Sequence, residues 1–178
     1  MTTILSGTNR PASRTRLIAG AFQEALAAAG AETALLDLAE LDHAYFDTLM
    51  YDPEHMQPAL RQLQERYVLG AEKLAIVVPE YNGSYPGAVK TFLDGISINE
   101  YARNWKGKRV ALIGVSSGRA GNLRGLDHLA DVLAHMGAWV LPNRLPVSLV
   151  DSLVTGDELT DEATKTTFAQ LAQQLIAA

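Results

Sequence analysis

The run Lys73–Pro79 (KLAIVVP) is apolar at almost every position rather than at every second one. A strand with this pattern leaves no side for water, so it belongs in the middle of a parallel sheet covered on both faces. Parallel strands need crossover connections, and the chain supplies them, with strand-like and helix-like segments alternating five times. Residues 3–5 form a short apolar first strand, 32–38 (ETALLDL) a second, Lys73–Pro79 the third and Arg109–Val115 (RVALIGV) the fourth. Residues 139–141 make a fifth, halted by Pro142.

The helices between them are marked by apolar residues three and four apart. Leu17, Ile18, Ala21, Phe22, Ala25, Leu26 and Ala29 form the first stripe, stopped by Gly30. Leu60, Leu63, Tyr67 and Val68 follow Pro58 and end near Gly70, while Val89, Phe92, Leu93 and Ile96 follow Pro86. Leu126, Leu129, Ala130, Leu133 and Met136 close at Gly137. A last helix on Phe168, Leu171, Leu175 and Ile176 has Thr160 as its expected cap, with Asp161 and Glu162 in its first turn. Residues 99–108 read as a polar connection holding Trp105. Residues 39–57 lack a period and carry Tyr45, Phe46, Leu49, Met50 and Tyr51. Such a loop is either functional or a satellite of the core.

At 178 residues, one domain over 1–178 is expected. A net charge of −5 speaks against a nucleic-acid partner. With no cysteine, disulfides and thiolate chemistry are excluded. No apolar stretch approaches a membrane span, and no signal-peptide pattern precedes the first strand, so the cytoplasm is the expected compartment.

In a doubly wound sheet, ligands bind beyond the carboxyl ends of the strands. The loops after strands one, three and four are the ones rich in Gly, Ser and Asn, and they would meet there. The first loop, Ser6-Gly7-Thr8-Asn9-Arg10-Pro11-Ala12-Ser13, leads into a helix with Ser13 placed as its cap. Arg14 and Arg16 crowd the positive end of that helix, which makes sense if an anion sits among them. Neither Gly-x-Gly-x-x-Gly nor Gly-x-x-x-x-Gly-Lys-Ser/Thr is present, so a mononucleotide site is the remaining phosphate-binding option. The third loop, Pro79-Glu80-Tyr81-Asn82-Gly83-Ser84, suits a flat ring with polar edges.

With these blocks in view, the chain resembles the NAD(P)H-dependent FMN reductase family. The resemblance rests on Ser6 to Arg10 with Ser13 and Thr15, on Pro79 to Gly87 with Lys90, and on Ser116-Ser117-Gly118-Arg119-Ala120-Gly121. It implies a flavodoxin-like three-layer α/β sandwich, with a five-stranded parallel sheet of order 2-1-3-4-5 and helices on both faces. It implies FMN as cofactor and NADPH or NADH as co-substrate, a small-molecule electron acceptor, and a homodimer or tetramer. Thr8, Arg10, Ser13 and Thr15 would hold the FMN phosphate. Pro79, Glu80, Tyr81, Asn82 and Gly83 would line the ring and sugar, and Ser116, Ser117 and Gly118 would close over the other side. The flavin carries the chemistry in such enzymes, so no catalytic acid or base is assigned. The chain departs from the family pattern at Pro11-Ala12, at Asn122-Leu123-Arg124-Gly125 and in residues 39–57.

Three rival readings compete. Gly114-Val115-Ser116-Ser117-Gly118 matches the Gly-x-Ser-x-Gly elbow of hydrolases, but no histidine follows His135 to complete a late triad. His128, Asp131 and His135 share a helix face, as a metal trio would, but no strong ligand spacing accompanies them, and a solvated or dimer-facing surface is the favoured reading. A flavodoxin-type electron carrier or regulatory flavoprotein would share the cofactor but lack NAD(P)H activity of its own.

Overall fold

The computed structural model describes residues 1–178, the side chain of His43 excepted. Strands β1 (Thr2–Ser6), β2 (Thr33–Asp37), β3 (Lys73–Pro79), β4 (Arg109–Val115) and β5 (Trp139–Val140) form a parallel sheet in the order β2-β1-β3-β4-β5. This is the flavodoxin-like order, with the chain reversing direction across the sheet beside β1.

The unbroken apolar runs are explained by two cores. Leu74, Ile76 and Val78 of β3, with Val110 and Leu112 of β4, join the core under α2 (Pro58–Leu63), α3 (Gly87–Ser97), α4 (Tyr101–Trp105) and α5 (Leu123–His135). Ala75, Val77, Ala111 and Ile113 point the other way, to α1 (Arg14–Ala28) and α6 (Glu162–Ala177). Successive side chains alternate faces, and here both faces are apolar.

The fifth strand differs from expectation. It halts as predicted around Pro142, which has no N–H to continue a ladder, but the chain returns to β4 as β6 (Leu145–Val147). Thus β4 is flanked by β5 at its start, Val110 against Val140, and by β6 at its end, Val115 against Val147. Pro146 sits within β6 at the sheet edge, where a missing donor is tolerated.

Residues 99–108 are not a plain connection. They contain α4, whose Trp105 is fully buried. The helix begun by Pro58 widens into a π-turn at Gln64–Leu69. There the buried Gln64 Nε2 donates to Ile96 O (3.0 Å), Asn99 O (2.7 Å) and Asn104 Oδ1 (2.7 Å), tying α3 to α4. The cap of α6 is Asp161, not Thr160: Asp161 Oδ2 accepts from the Thr164 N–H at 2.7 Å. Thr160 belongs instead to the end of a small hairpin, β7 (Val154–Thr155) with β8 (Glu158–Leu159), and its N–H bonds Leu153 O at 2.9 Å. Residues 39–57 split between the two expectations. Phe46 and Tyr45 pack on the core and Met56 is buried, while Leu49 and Tyr51 are exposed. Asp42, Asp47 and Asp52 each accept from a backbone N–H two residues on, and these successive turns are why no period runs through the loop.

Candidate functional site at the carboxyl edge of the sheet

The loop after β1 is pressed against the sheet. A Cβ at Gly7 would stand 2.8 Å from Val78 Cγ1 and 2.9 Å from Val89 Cγ2, so only glycine lets the backbone approach so closely. Thr8 is fully buried; its hydroxyl accepts from the Arg10 N–H at 3.2 Å and shares a 2.9 Å hydrogen bond with Tyr81 Oη. Ser13 caps α1 as expected, its Oγ accepting from the Arg16 N–H at 3.1 Å. Thr15 is buried in the first turn. Among the described residues no acceptor takes the N–H groups of Arg14 or Thr15. A helix start of this kind offers free donors and partial positive charge.

The expected crowd of arginines does not form. Arg14 turns to Asp151 (Nε–Oδ1 3.0 Å) and to Gly156 O (3.0 Å), and Arg16 lies 3.7 Å from Asp37 Oδ2. Both guanidinium groups therefore have carboxylates of their own, brought from distant segments. Of the three, only the exposed Arg10 has no ion pair among the described residues.

The loop after β3 is built around a tight turn. Tyr81 N donates to Ser84 O (2.9 Å) and Ser84 N to Tyr81 O (3.1 Å), with Asn82 and Gly83 both left-handed at φ 53° and 75°. Two left-handed central residues define the turn that Asn-Gly favours. Glu80 N donates to Val115 O at 2.9 Å, holding the start of the loop beside β4. The turn leans on α5. Buried Asn122 donates to Pro79 O at 2.8 Å, Ser84 Oγ lies 2.9 Å from His128 Nδ1, and the Arg124 guanidinium stands over Gly83. Alongside, Lys90 pairs with Asp94 at 2.6 Å, which raises its pKa, and burial raises that of Tyr85.

The loop after β4 is held by the returning strand. Ser116 N donates to Val147 O, Val150 N to Ser116 O, Leu149 N to Gly118 O and Ser148 Oγ to Arg119 O, all within 3.0 Å. Ser117 and Gly118 are exposed at its tip. The Ser116 hydroxyl donates to Gly118 O (2.8 Å) and accepts from Gly121 N (2.9 Å). It is engaged within its own loop rather than with a histidine, so the hydrolase elbow has no base beside its hydroxyl. His128 meets Ser84, and no group of three His, Cys, Asp or Glu among the described residues could hold a metal ion.

The structure thus brings Thr8, Arg10, Ser13 and Thr15 to the β1 end of one edge, residues 79–83 to its centre and Ser116–Gly118 to the β4 side. Asn122, Arg124 and His128 were not expected at the site; the departure noted at Asn122–Gly125 was the trace of the first two, and His128 had been singled out only as a metal candidate. A cavity of about 340 Å³ lies beside Asn9, lined by Leu38, Leu41, Phe46, Ala88 and Thr91. A larger one of about 720 Å³ lies between α1, α6 and the β7–β8 hairpin and shares no residue with these loops.

Residues 2–150 match the family described as NADPH-dependent FMN reductase. An NADPH azoreductase of Bacillus sp. (strain OY1-2) is 28% identical over 163 residues, which is 90% of this chain and 82% of that protein. A 2-hydroxy-1,4-benzoquinone reductase of Burkholderia sp is 37% identical over 79 residues, so the chain spans only 43% of that relative and 44% of itself in the match. Among solved structures, the flavoenzyme NAD(P)H:(acceptor) oxidoreductase FerB from Paracoccus denitrificans superposes with a TM-score of 0.80 at 27% identity, covering 99% of this chain and 94% of that one.

Proposed function

The chain belongs to the NADPH-dependent FMN reductase family, and on that premise we propose that it is an NAD(P)H oxidoreductase using bound FMN to reduce a small acceptor. The acceptor class we infer is a quinone, azo compound, metal oxyanion or free flavin. The observation that carries this reading is the meeting of an open helix start and a tight Asn-Gly turn at one sheet edge, joined through Thr8 and Tyr81.

The residues fit FMN. For its phosphate, α1 offers the free N–H groups of Arg14 and Thr15, and Ser13 accepts from Arg16 while keeping its own proton to donate. Thr8 and Thr15 add hydroxyls, and Arg10 adds an unpaired guanidinium. For the ring, residues 79–83 present a rigid backbone fixed from behind by Asn122, and Ser116, Ser117 and Gly118 form the opposite wall. When bound, FMN would supply the two-electron hydride chemistry between NAD(P)H and the acceptor. The protein's own part is to bind, orient and hold the edge rigid; no side chain is needed as acid or base. The exposed Leu49 and Tyr51 support a homodimer, and a cytoplasmic setting agrees with the finding that no helix among the described residues is long and apolar enough to cross a membrane.

The test is a visible absorption spectrum of the purified protein, followed by anaerobic NADPH. Flavin bands that bleach within seconds support the reductase. Bands that persist move the reading to an electron carrier, and a colourless protein that takes up no FMN ends it.

A further inference from the structure

The tight turn at the centre of the site is gripped by a side-chain hydrogen bond at each end. Tyr81 Oη meets Thr8 Oγ1 at 2.9 Å where the turn begins, and Ser84 Oγ meets His128 Nδ1 at 2.9 Å where it closes. Within the turn, Tyr81 N donates to Ser84 O and Ser84 N to Tyr81 O. The N–H groups of Asn82 and Gly83, at the tip, have no acceptor among the described residues. Two adjacent free donors on one rigid turn suit the polar edge of a flat ring, and their aim depends on how the turn is held.

Helix α5 holds the far end. Gly125 brings the helix onto the turn, because a Cβ there would stand 2.7 Å from the Ser84 carbonyl carbon and press on Asn122 Oδ1. Asn122 Nδ2 donates to Pro79 O at 2.8 Å and so fixes the start of the loop, while His128, three residues beyond Gly125, engages its close. His128 is exposed, and among the described residues no group of metal-ligating side chains includes it. Neither core packing nor a metal explains an imidazole at this place; its bond to Ser84 does.

We propose that His128 is a positioning residue: through Ser84 it aims the Asn82 and Gly83 N–H groups at the flavin ring and thereby favours the reduced, more electron-rich flavin. This rests on the function proposed above, in which residues 79–83 line that ring. N–H dipoles directed at a ring stabilise the negative charge it gains on reduction, and a turn released at Ser84 lets them swing away. The position of the bonding nitrogen is specific. Nδ1 lies near the backbone, where the amide of an asparagine would also stand, whereas a glutamine amide would reach the place of Nε2.

The experiment compares wild type with His128→Ala, His128→Asn and His128→Gln. In the flavin-free proteins, NMR amide exchange at Tyr81 and Ser84 speeds up about fivefold for alanine, is restored by asparagine and is not restored by glutamine. In the FMN-loaded proteins, alanine and glutamine lower the flavin midpoint potential. They weaken binding of reduced FMN about fivefold and of oxidised FMN less than about twofold. Asparagine keeps the wild-type potential although it carries no imidazole, which separates the aim of the turn from the charge of a histidine. Unchanged exchange in His128→Ala overturns the proposal, and so does faster exchange with an unaltered potential, which would leave the bond a structural role only. An asparagine variant that matches alanine, or a glutamine variant that matches wild type, also overturns it. If the wild type takes up no FMN, the function reading fails and the aim at a flavin falls with it, while the exchange comparison still decides whether His128 fixes the turn.

Discussion

Tyr81 Oη and Thr8 Oγ1 lie 2.9 Å apart, so one side chain of the central loop is anchored in the loop after β1. The tyrosine ring therefore spans the edge instead of standing free, and the two halves of the site hold each other in place. Tyr81→Phe removes one part-buried hydrogen bond, worth about 1 kcal/mol or about fivefold in an equilibrium constant. The expected outcome is a comparable rise in the FMN dissociation constant, read by flavin fluorescence on the apoprotein. A drop in Tm with unchanged FMN affinity would restrict the bond to a structural role.

Arg10 and Arg14 are predicted to behave differently although both neighbour the same helix start. Arg10→Ala weakens FMN binding by about tenfold, the scale of a charge-assisted phosphate contact. Arg14 is committed to Asp151 and Gly156 O. Arg14→Ala therefore changes FMN affinity by less than about twofold, and its exposed ion pair contributes at most about 1 kcal/mol to stability. Equal effects of the two substitutions on FMN would contradict the pairing.

Gly7→Ala forces a methyl group against Val78 and Val89, and within 3.0 Å of Val77 O. Overpacking of this kind costs about 1–3 kcal/mol. A lower denaturation midpoint is expected, together with weaker FMN binding because the loop must lift from β3. An unchanged midpoint would mean that the loop yields freely.

Lys108 is buried, its Nζ donating to Val68 O at 2.6 Å and also to Ala71 O, and burial lowers its pKa below the ordinary 10.5. The folded state thus holds this proton less firmly than the unfolded chain. Its contribution is greatest above 10.5 and declines as pH falls through the depressed value. Wild-type stability should rise with pH across that window relative to Lys108→Met, which lacks the titrating group. Parallel stability–pH curves for the two proteins would remove the effect.

What could be read in advance depended on how far apart the interacting residues lie in the chain. Residues 73–79 reveal their place because apolarity on two faces is a local property. The same holds for Ser13, whose cap partner is three residues away. Arg14 and Arg16 misled because their acids, Asp151 and Asp37, arrive by tertiary folding. Gln64 gave no sign of burial, since it is satisfied by Ile96, Asn99 and Asn104 on other elements. The bracing of the last loop by residues 147–150 was hidden behind Pro142, which ends a strand without saying that the chain will come back.

That return has a consequence for how such a protein can change over time. Because β5 and β6 pair with different stretches of β4, and the last bond of the first stretch is Leu141 N to Val110 O, the segment 142–144 between them bears no ladder that either half depends on. Lengthening it would leave the sheet in register and place new chain along the lateral edge of the sheet, level with the middle of β4 and just upstream of the residues that steady the loop after β4. The interruption is a point at which the scaffold can acquire new chain without rebuilding the strands that present the carboxyl-edge loops.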